Sequence, residues 1–365
     1  MPYDVAVIGA GVFGAWTAHH LRQSGACVLL IDAWGAANAR ASSGGESRII
    51  RMGYGADEIY TRSAMRSLDL WQAFFRETGQ PLFHQTGVLW TAAAGDAYSE
   101  DTRRTLARCG ASFELLMPAE LEARFPQMRF APGASGIFEP RSGALMARRA
   151  LQAVVEDAIR RGVEFARGAA AAPAAGVCVF ACGPWLPKLF PELLGKRIVP
   201  TRQEVFFFGT PPGDVRFSPP AMPTWIDFSD PRGPYGFPDL DGRGVKIALD
   251  QHGPPIDPDT ADRLPSAEAL AAARACLGER LPALRNAPLV EARVCQYENT
   301  SSGDFLIDRH PDRPNVWLVG GGSGHGFKHG PAVGEYAAAR ILHGGTVDPR
   351  YSLAAKQETQ SRAVF

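Results

Sequence analysis

Residues 3–33, YDVAVIGAGVFGAWTAHHLRQSGACVLLIDA, constrain this chain more than any other stretch. Val5, Val7 and Ile8 form a short apolar run that reads as a buried parallel strand. Gly9, Gly11 and Gly14 follow in G-x-G-x-x-G spacing, and AWTAHHLRQ then carries helical periodicity to Gly25, a helix C-cap. A second apolar run, CVLLI, stops at Asp32. Gly9 allows a sharp turn, Gly11 lets the backbone approach a pyrophosphate, and Gly14 lets helix and strand pack closely. The helix start offers free N–H groups and partial positive charge, and a carboxylate at Asp32 can accept hydrogen bonds from ribose hydroxyls. The ordered set points to an adenine dinucleotide site on an α/β domain. The motif leaves NAD and FAD both open, and its place at the N-terminus leans toward FAD.

The far end repeats the same grammar. NVWLVGGGSGHGFKHGPAVGEYAAARIL reads as a strand, Val316 to Val319, a glycine-rich turn and an amphipathic helix. Two such units at opposite ends of 365 residues imply a discontinuous nucleotide domain. We therefore expect an α/β (α+β) fold: a Rossmann-like domain from 1–80, 142–200 and 304–350, a mixed-sheet substrate domain from 81–141 and 201–303, and a tail, 351–365. Between the ends, a polar glycine-rich loop closes on SRIIR, and ADEIYTRSAMRSLDLWQAFFRETG has one apolar helical face. Residues 81–140 show the strand-like runs TGVLWTA and SGIFEP with one helical piece near 117–125. Helix and strand follow in ALMARRALQAVVEDAIRRGVEF, then a buried strand in VCVFACGPW. Residues 201–300 give strand-like runs such as GVKIAL and EARVCQYE, with a helix around 266–282. The only low-complexity tract is an alanine run near 169–175.

Lys+Arg and Asp+Glu number 38 each, so no global field recruits nucleic acid or an anionic membrane. The uncharged stretch 168–187 is broken by three prolines and three glycines, which argues against a spanning helix. With no basic leader at the N-terminus, a cytoplasmic location is expected. The six cysteines lack disulfide or zinc spacing, and the default for five of them is a small buried hydrophobe. Cys295 stands apart. In EARVCQYE, alternation sets Arg293, Cys295 and Tyr297 on one strand face, and an adjacent arginine favours the reactive thiolate. In GVKIAL, Val245, Ile247 and Leu249 share a face and Lys246 points the other way. His325 and His329 have H-x3-H spacing but no third ligand, and no metal is expected.

GAGVFG with Asp32, SRIIR, YGFP…GVKIAL…IDPDT and CQYENTSSGDFLIDRHP…GGSGHGFKHG together resemble the flavin-dependent amine oxidases of the monomeric sarcosine oxidase and N-methyltryptophan oxidase type, within the D-amino acid oxidase superfamily. The resemblance covers nearly the whole chain. It implies FAD held covalently through a thioether at Cys295, with Ser42, Arg48, Gly322, Gly324, His325, Gly326 and Lys328 around the flavin. It implies Lys246 beneath the flavin ring, promoting reaction with oxygen. Arg51 and Lys328 would hold the substrate carboxylate, for which a planar guanidinium and an ammonium are suited, and Tyr235 and Tyr297 would line the pocket. The glycines at 320–324 would present N–H groups to the flavin edge.

Departures bear on the substrate. SSGGES lacks the histidines that often precede the two arginines, and Asp250 stands where a histidine is usual, with His252 nearby. Asp250 would add negative charge to a positive site and so recognise a cationic group of the substrate. Residues 166–180 are short, so the β-meander that decorates such domains is expected to be largely missing. The expected activity is oxidation of a carboxylate-bearing secondary or primary amine, by a monomer, with hydride transfer to flavin, an imine product, and oxygen reduced to hydrogen peroxide. The alternatives are a dehydrogenase using another acceptor, a 2-hydroxy-acid oxidase, or a noncatalytic flavin-binding protein.

Overall fold

The structure, a computed structural model, describes residues 2–168, 173–362 and 364; most of the alanine run lies outside the described residues. Val5, Ala6, Val7 and Ile8 are each at most 2% exposed, as a parallel strand covered on both faces requires. Their strand, Tyr3–Ile8, lies inside a six-stranded sheet, between Val28–Asp32 and Ala175–Phe180. Glu164–Arg167 extends the sheet on one side; on the other come Arg313–Gly320 and an antiparallel edge strand, Leu306–His310. The sheet thus draws strands from the N-terminal, middle and C-terminal parts of the chain. Helices Val12–Gln23, Ala147–Arg160 and Gly330–His343 supply residues to one core with it, including Trp16, Leu151 and Val333. Only residues 168–174 link Glu164–Arg167 to Ala175–Phe180.

A second sheet of eight strands runs in the order Leu289–Thr300, Ile198–Phe208, Val245–Leu249, Pro234–Phe237, Thr224–Asp227, Val88–Ala92, Ser135–Glu139, Glu114–Leu116. One pair, Thr224–Asp227 with Val88–Ala92, is parallel and the rest are antiparallel. Strand alternation divides its faces. Val245 and Ile247 pack with Ala273, Cys276 and Leu277 of the helix Ala267–Arg280, while Lys246 enters a cavity on the other face. Arg48–Ile50, Gly143–Leu145 and Phe83–His84 form a third, small sheet.

Two expectations need correcting. A helix, Ala97–Cys109, occupies part of the region read as strands plus one helix. It is capped by Asp96, which accepts from the Ser99 N–H at 2.8 Å, and closed by Gly110. It buries only Thr102, Thr105 and Leu106, so its apolar periodicity is too thin to see. Among the cysteines, Cys27 is exposed and Cys109 and Cys182 are half-buried. The described residues of the C-terminal tail pair with the chain that follows the Cys295 strand. Gln357 N–H donates to Ser301 Oγ, Ser361 N–H to Ser301 O and Val364 N–H to Ser302 O, and Val364 is fully buried. No helix among the described residues is long and apolar enough to cross a membrane.

Candidate active site

Two adjoining cavities of about 360 and 350 Å3 open between the sheets, the size range of small-ligand and cofactor sites. They share Ala41, Arg48, Tyr297, Gly324 and Phe327 in their walls. The first is built on the N-terminal turn. Gly9 has φ +105°, and a Cβ there would stand 2.3 Å from the Ala181 carbonyl oxygen; one on Gly14 would stand 1.9 Å from the Gly9 oxygen. Neither position accepts a side chain. At Gly11 the nearest atom to a Cβ would be Ser43 Oγ at 3.7 Å, so the missing side chain leaves cavity space. Ser43 Oγ accepts from the Val12 N–H at 3.1 Å and steadies the helix start. Asp32 accepts from the N–H groups of Ala10, Trp34 and Gly35 at 2.8–2.9 Å while lining the cavity. Ser42 Oγ, buried in this wall, has no hydrogen-bond partner among the described residues. A glycine cradle, a helix N-terminus, an acid at the second strand's end and an orphaned hydroxyl together suit a dinucleotide.

Gly322, Gly324 and Gly326 also line the first cavity, but their loop spends its donors differently from expectation. Ser323 N–H donates to Glu298 O, and the N–H groups of His325 and Gly326 both donate to Gly322 O. Glu298 accepts from the backbone of Gly321 and Gly322.

The second cavity gathers Arg48, Arg51, Tyr235, Lys246, Asp250, Cys295, Tyr297, His325 and Lys328. Arg48 bonds the carbonyl oxygens of Ser47 and Ser42 and points a guanidinium nitrogen at Cys295 Sγ, 3.5 Å away. The arginine beside the thiol is therefore Arg48. Arg293, expected in that role, pairs with Glu46 and Glu291 instead. Lys246 Nζ donates to Ser47 O at 3.0 Å and lies 4.4 Å from the Phe237 ring centre. Burial, and then Arg48, hold its ammonium pKa well below the ordinary lysine range.

Arg51 is buried with its guanidinium carbon 4.3 Å from the centres of both the Tyr54 and Trp90 rings, a cation–π sandwich. Lys328 Nζ donates to Tyr54 Oη at 2.7 Å and His325 O at 3.0 Å. Burial, then Arg51, pushes its pKa well down. Tyr54 Oη also meets His325 Nδ1 at 3.1 Å and His329 Nε2 at 2.7 Å, and His329 Nδ1 meets Ser63 Oγ at 2.9 Å. Both histidines thus serve a tyrosine-centred network. Tyr235 is pushed up to about 12 by burial, then by Asp250. Tyr297 Oη donates to Asp250 at 3.2 Å, and His252, exposed, stands edge-on to the Tyr297 ring. The second oxygen of Asp250 meets Arg362 at 2.7 Å. The cation left to the substrate by the sequence reading is supplied to Asp250 from within the chain.

Sequence reasoning missed the supports of Arg51. Tyr54 and Trp90 are among them, and Glu139 is the residue behind them. Its carboxylate, 1% exposed, accepts from Met52 N–H at 2.7 Å, Gly53 N–H at 3.0 Å, Trp90 Nε1 at 2.7 Å and Ser142 Oγ at 2.5 Å. A lone acid in the apolar run SGIFEP was the available signal. Arg362 offered none.

Residues 4–340 match the family described as FAD dependent oxidoreductase (DAO). Monomeric sarcosine oxidase of Bacillus sp. (strain B-0618) is 33% identical, over 94% of this chain and 93% of that protein. N-methyl-L-tryptophan oxidase of Escherichia coli O139:H28 (strain E24377A / ETEC) is 29% identical, over 93% and 94% respectively. Among solved structures, L-proline dehydrogenase from P. horikoshii shares the fold with a TM-score of 0.83 at 22% identity, covering 96% of each chain.

Proposed function

Because the chain belongs to the FAD-dependent oxidoreductase family, as an enzyme of its amine and amino-acid type, we propose that it oxidises a small amine bearing one carboxylate, with molecular oxygen as the final acceptor. The observation that carries this is the juxtaposition of two buried basic side chains, the Arg51 guanidinium and the Lys328 amine, in a cavity adjoining the dinucleotide cradle. Gly9, Gly11, Asp32 and Ser42 would hold the dinucleotide, and Arg48 and Cys295 would stand at the ring end. FAD, when bound, supplies the two-electron acceptor for the carbon–hydrogen bond beside nitrogen and returns those electrons to oxygen, giving hydrogen peroxide.

The protein's own part is binding and electrostatics. The fixed guanidinium of Arg51 takes the substrate carboxylate, and Lys328 adds the second charge as the anion arrives. That anion offsets the desolvation which otherwise favours neutral lysine. The apolar wall of Ile226, Phe228 and Phe237 favours the neutral amine, the form able to lose hydride. Lys246 gains its proton when negative charge develops near it, and so assists the oxygen half-reaction. Cys295 is the proposed point of covalent attachment. There the thiol S–H and one C–H bond of the flavin methyl group would be lost as a sulfur–carbon bond forms, the two electrons and two protons passing to oxygen as hydrogen peroxide.

The test uses purified holoprotein. A panel of N-methyl and primary amino acids, with 2-hydroxy acids as controls, is mixed anaerobically, and bleached samples are then exposed to air. An amine should bleach the flavin and air should restore it. Lys246→Met should bleach as the parent does but reoxidise roughly a hundredfold more slowly, the scale expected for one lost electrostatic donor. No bleaching by any amine would end this assignment, and bleaching without oxygen uptake would make the protein a dehydrogenase. Acid precipitation settles the linkage, since flavin bound through Cys295 stays with the pellet.

A further inference from the structure

The C-terminal segment brings one charged side chain into the second cavity. Arg362 lines that cavity, donates to Asp250 Oδ2 at 2.7 Å and to the Asp250 carbonyl oxygen at 3.4 Å, and also bonds the Val364 carbonyl at 3.2 Å. Its backbone is held on both sides, by Ser361 on Ser301 and by Val364 on Ser302. Ser301 and Ser302 follow the strand Leu289–Thr300 that carries Cys295 and Tyr297. The guanidinium is thus fixed by backbone pairing, with its side chain 18% exposed.

Of the three acids lining this cavity, Glu46 and Asp230 pair with arginines outside the C-terminal segment, which leaves Asp250 as the one that needs explaining. It shares a wall with Arg51 and Lys328, and its charge reaches Lys328. A bare carboxylate there would repel the carboxylate of a substrate. One of its oxygens meets Arg362 and the other meets the Tyr297 hydroxyl. Arg362 also acts in the same sense as Arg51 on the Tyr54 hydroxyl beside Lys328.

We propose that Arg362 is a positioning and specificity residue: it neutralises Asp250, so that the cavity takes an anionic amine and not a dicationic or carboxylate-free one. The C-terminal segment is therefore part of the substrate site, and Asp250 with Arg362 sets the charge the distal wall shows to the ligand. This rests on the carboxylate reading of Arg51 and Lys328, and it predicts a charge cycle. Removing Arg362 leaves a net negative wall, removing the Asp250 charge leaves a net positive one, and removing both restores the parent balance.

The experiment titrates holoprotein with propionate, a carboxylate without an amine, and reads the perturbed flavin absorption. R362M should bind propionate about tenfold more weakly, D250N about tenfold more tightly, and the D250N/R362M pair within about threefold of the parent. R362K, which keeps the charge, should fall near the parent. Should R362M fail to hold flavin, D250N and R362K decide. Unchanged binding in D250N, or a double variant no closer to the parent than R362M, overturns the inference. If propionate perturbs the parent but not Arg51→Met, while the Arg362 and Asp250 variants match the parent, only this inference falls. A parent flavin blind to propionate overturns the carboxylate site and this inference together.

Discussion

The two adjoining cavities are built by different means. The first is mainly a backbone device: glycines and a helix start within residues 9–43 and the returning loop at 320–326, with Asp32, Asp259 and Glu298 as its acids. The second is a side-chain device whose charged groups come from residues 46–51, 230–232, 246–250, 293, 328 and 362. In the first, a side chain is harmful because it occupies space. In the second, each side chain matters for its charge and for what holds that charge still. Substitutions should therefore act on the fold and cofactor content in one region, and on ligand affinity in the other.

The largest effect is expected where the backbone device meets the core. Gly14→Ala sets a methyl group 1.9 Å from the Gly9 oxygen and should lower folding stability by on the order of 3–5 kcal/mol in denaturant unfolding. Gly11→Val is the informative partner, because its side chain enters open cavity. It should melt within a few degrees of the parent yet purify with little FAD. If both variants merely unfolded, the separation of packing glycine from phosphate glycine would be lost.

In the second region, Arg51→Met should raise KM roughly a hundredfold, as expected for a charge-assisted pair worth about 3 kcal/mol, and leave the flavin spectrum nearly intact. The reverse pattern, a disturbed spectrum with KM unchanged, would put Arg51 on the cofactor. Glu139→Gln tests the support behind it. An amide cannot accept at both oxygen positions, so at least one of the Met52, Gly53, Trp90 and Ser142 donors loses its partner. KM should rise about tenfold through a loosened Arg51, with flavin content unchanged.

What was legible in the sequence follows the same division. The cradle is local, and its glycine spacing and bounding strands were visible because each position answers to backbone geometry over a short span. Lys246 was legible as the odd residue on an apolar strand, and it does enter the cavity. Its role, like that of Cys295, came from resemblance. Alternation aligns Arg293 with Cys295 and so points to it as the thiol's neighbour. Strand alternation is blind to Arg48, which arrives from another sheet to fill that place. Glu139, Trp90 and Arg362 gave no clear sign because their meaning is tertiary. An acid in a buried strand, an indole and a near-terminal arginine become a site only after three segments meet.

The smallest predicted effect joins the two regions. Glu298 lines the dinucleotide cavity from the strand that also carries Cys295, and its Oε1 is buried with no partner among the described residues. Burial pushes its carboxyl pKa up to about 7, against donors from Gly321 and Gly322 that pull it down. A carboxyl raised in the folded state gives stability that is fully present below the unfolded value near 4.5 and is lost as pH rises through about 7. Between pH 6 and pH 8 the loss should be about 1 kcal/mol, a shift of a few degrees in Tm. Glu298→Gln, neutral throughout, should flatten that part of the profile relative to the parent measured alongside. An ionised Glu298 would also add negative charge to the wall of the dinucleotide cavity, so FAD retention should weaken over the same interval in the parent and not in the variant, measured in protein whose flavin is not covalently held (Cys295→Ser). Equal slopes in the two proteins would show that the loop donors keep Glu298 ionised and that the cradle tolerates an anion in its wall.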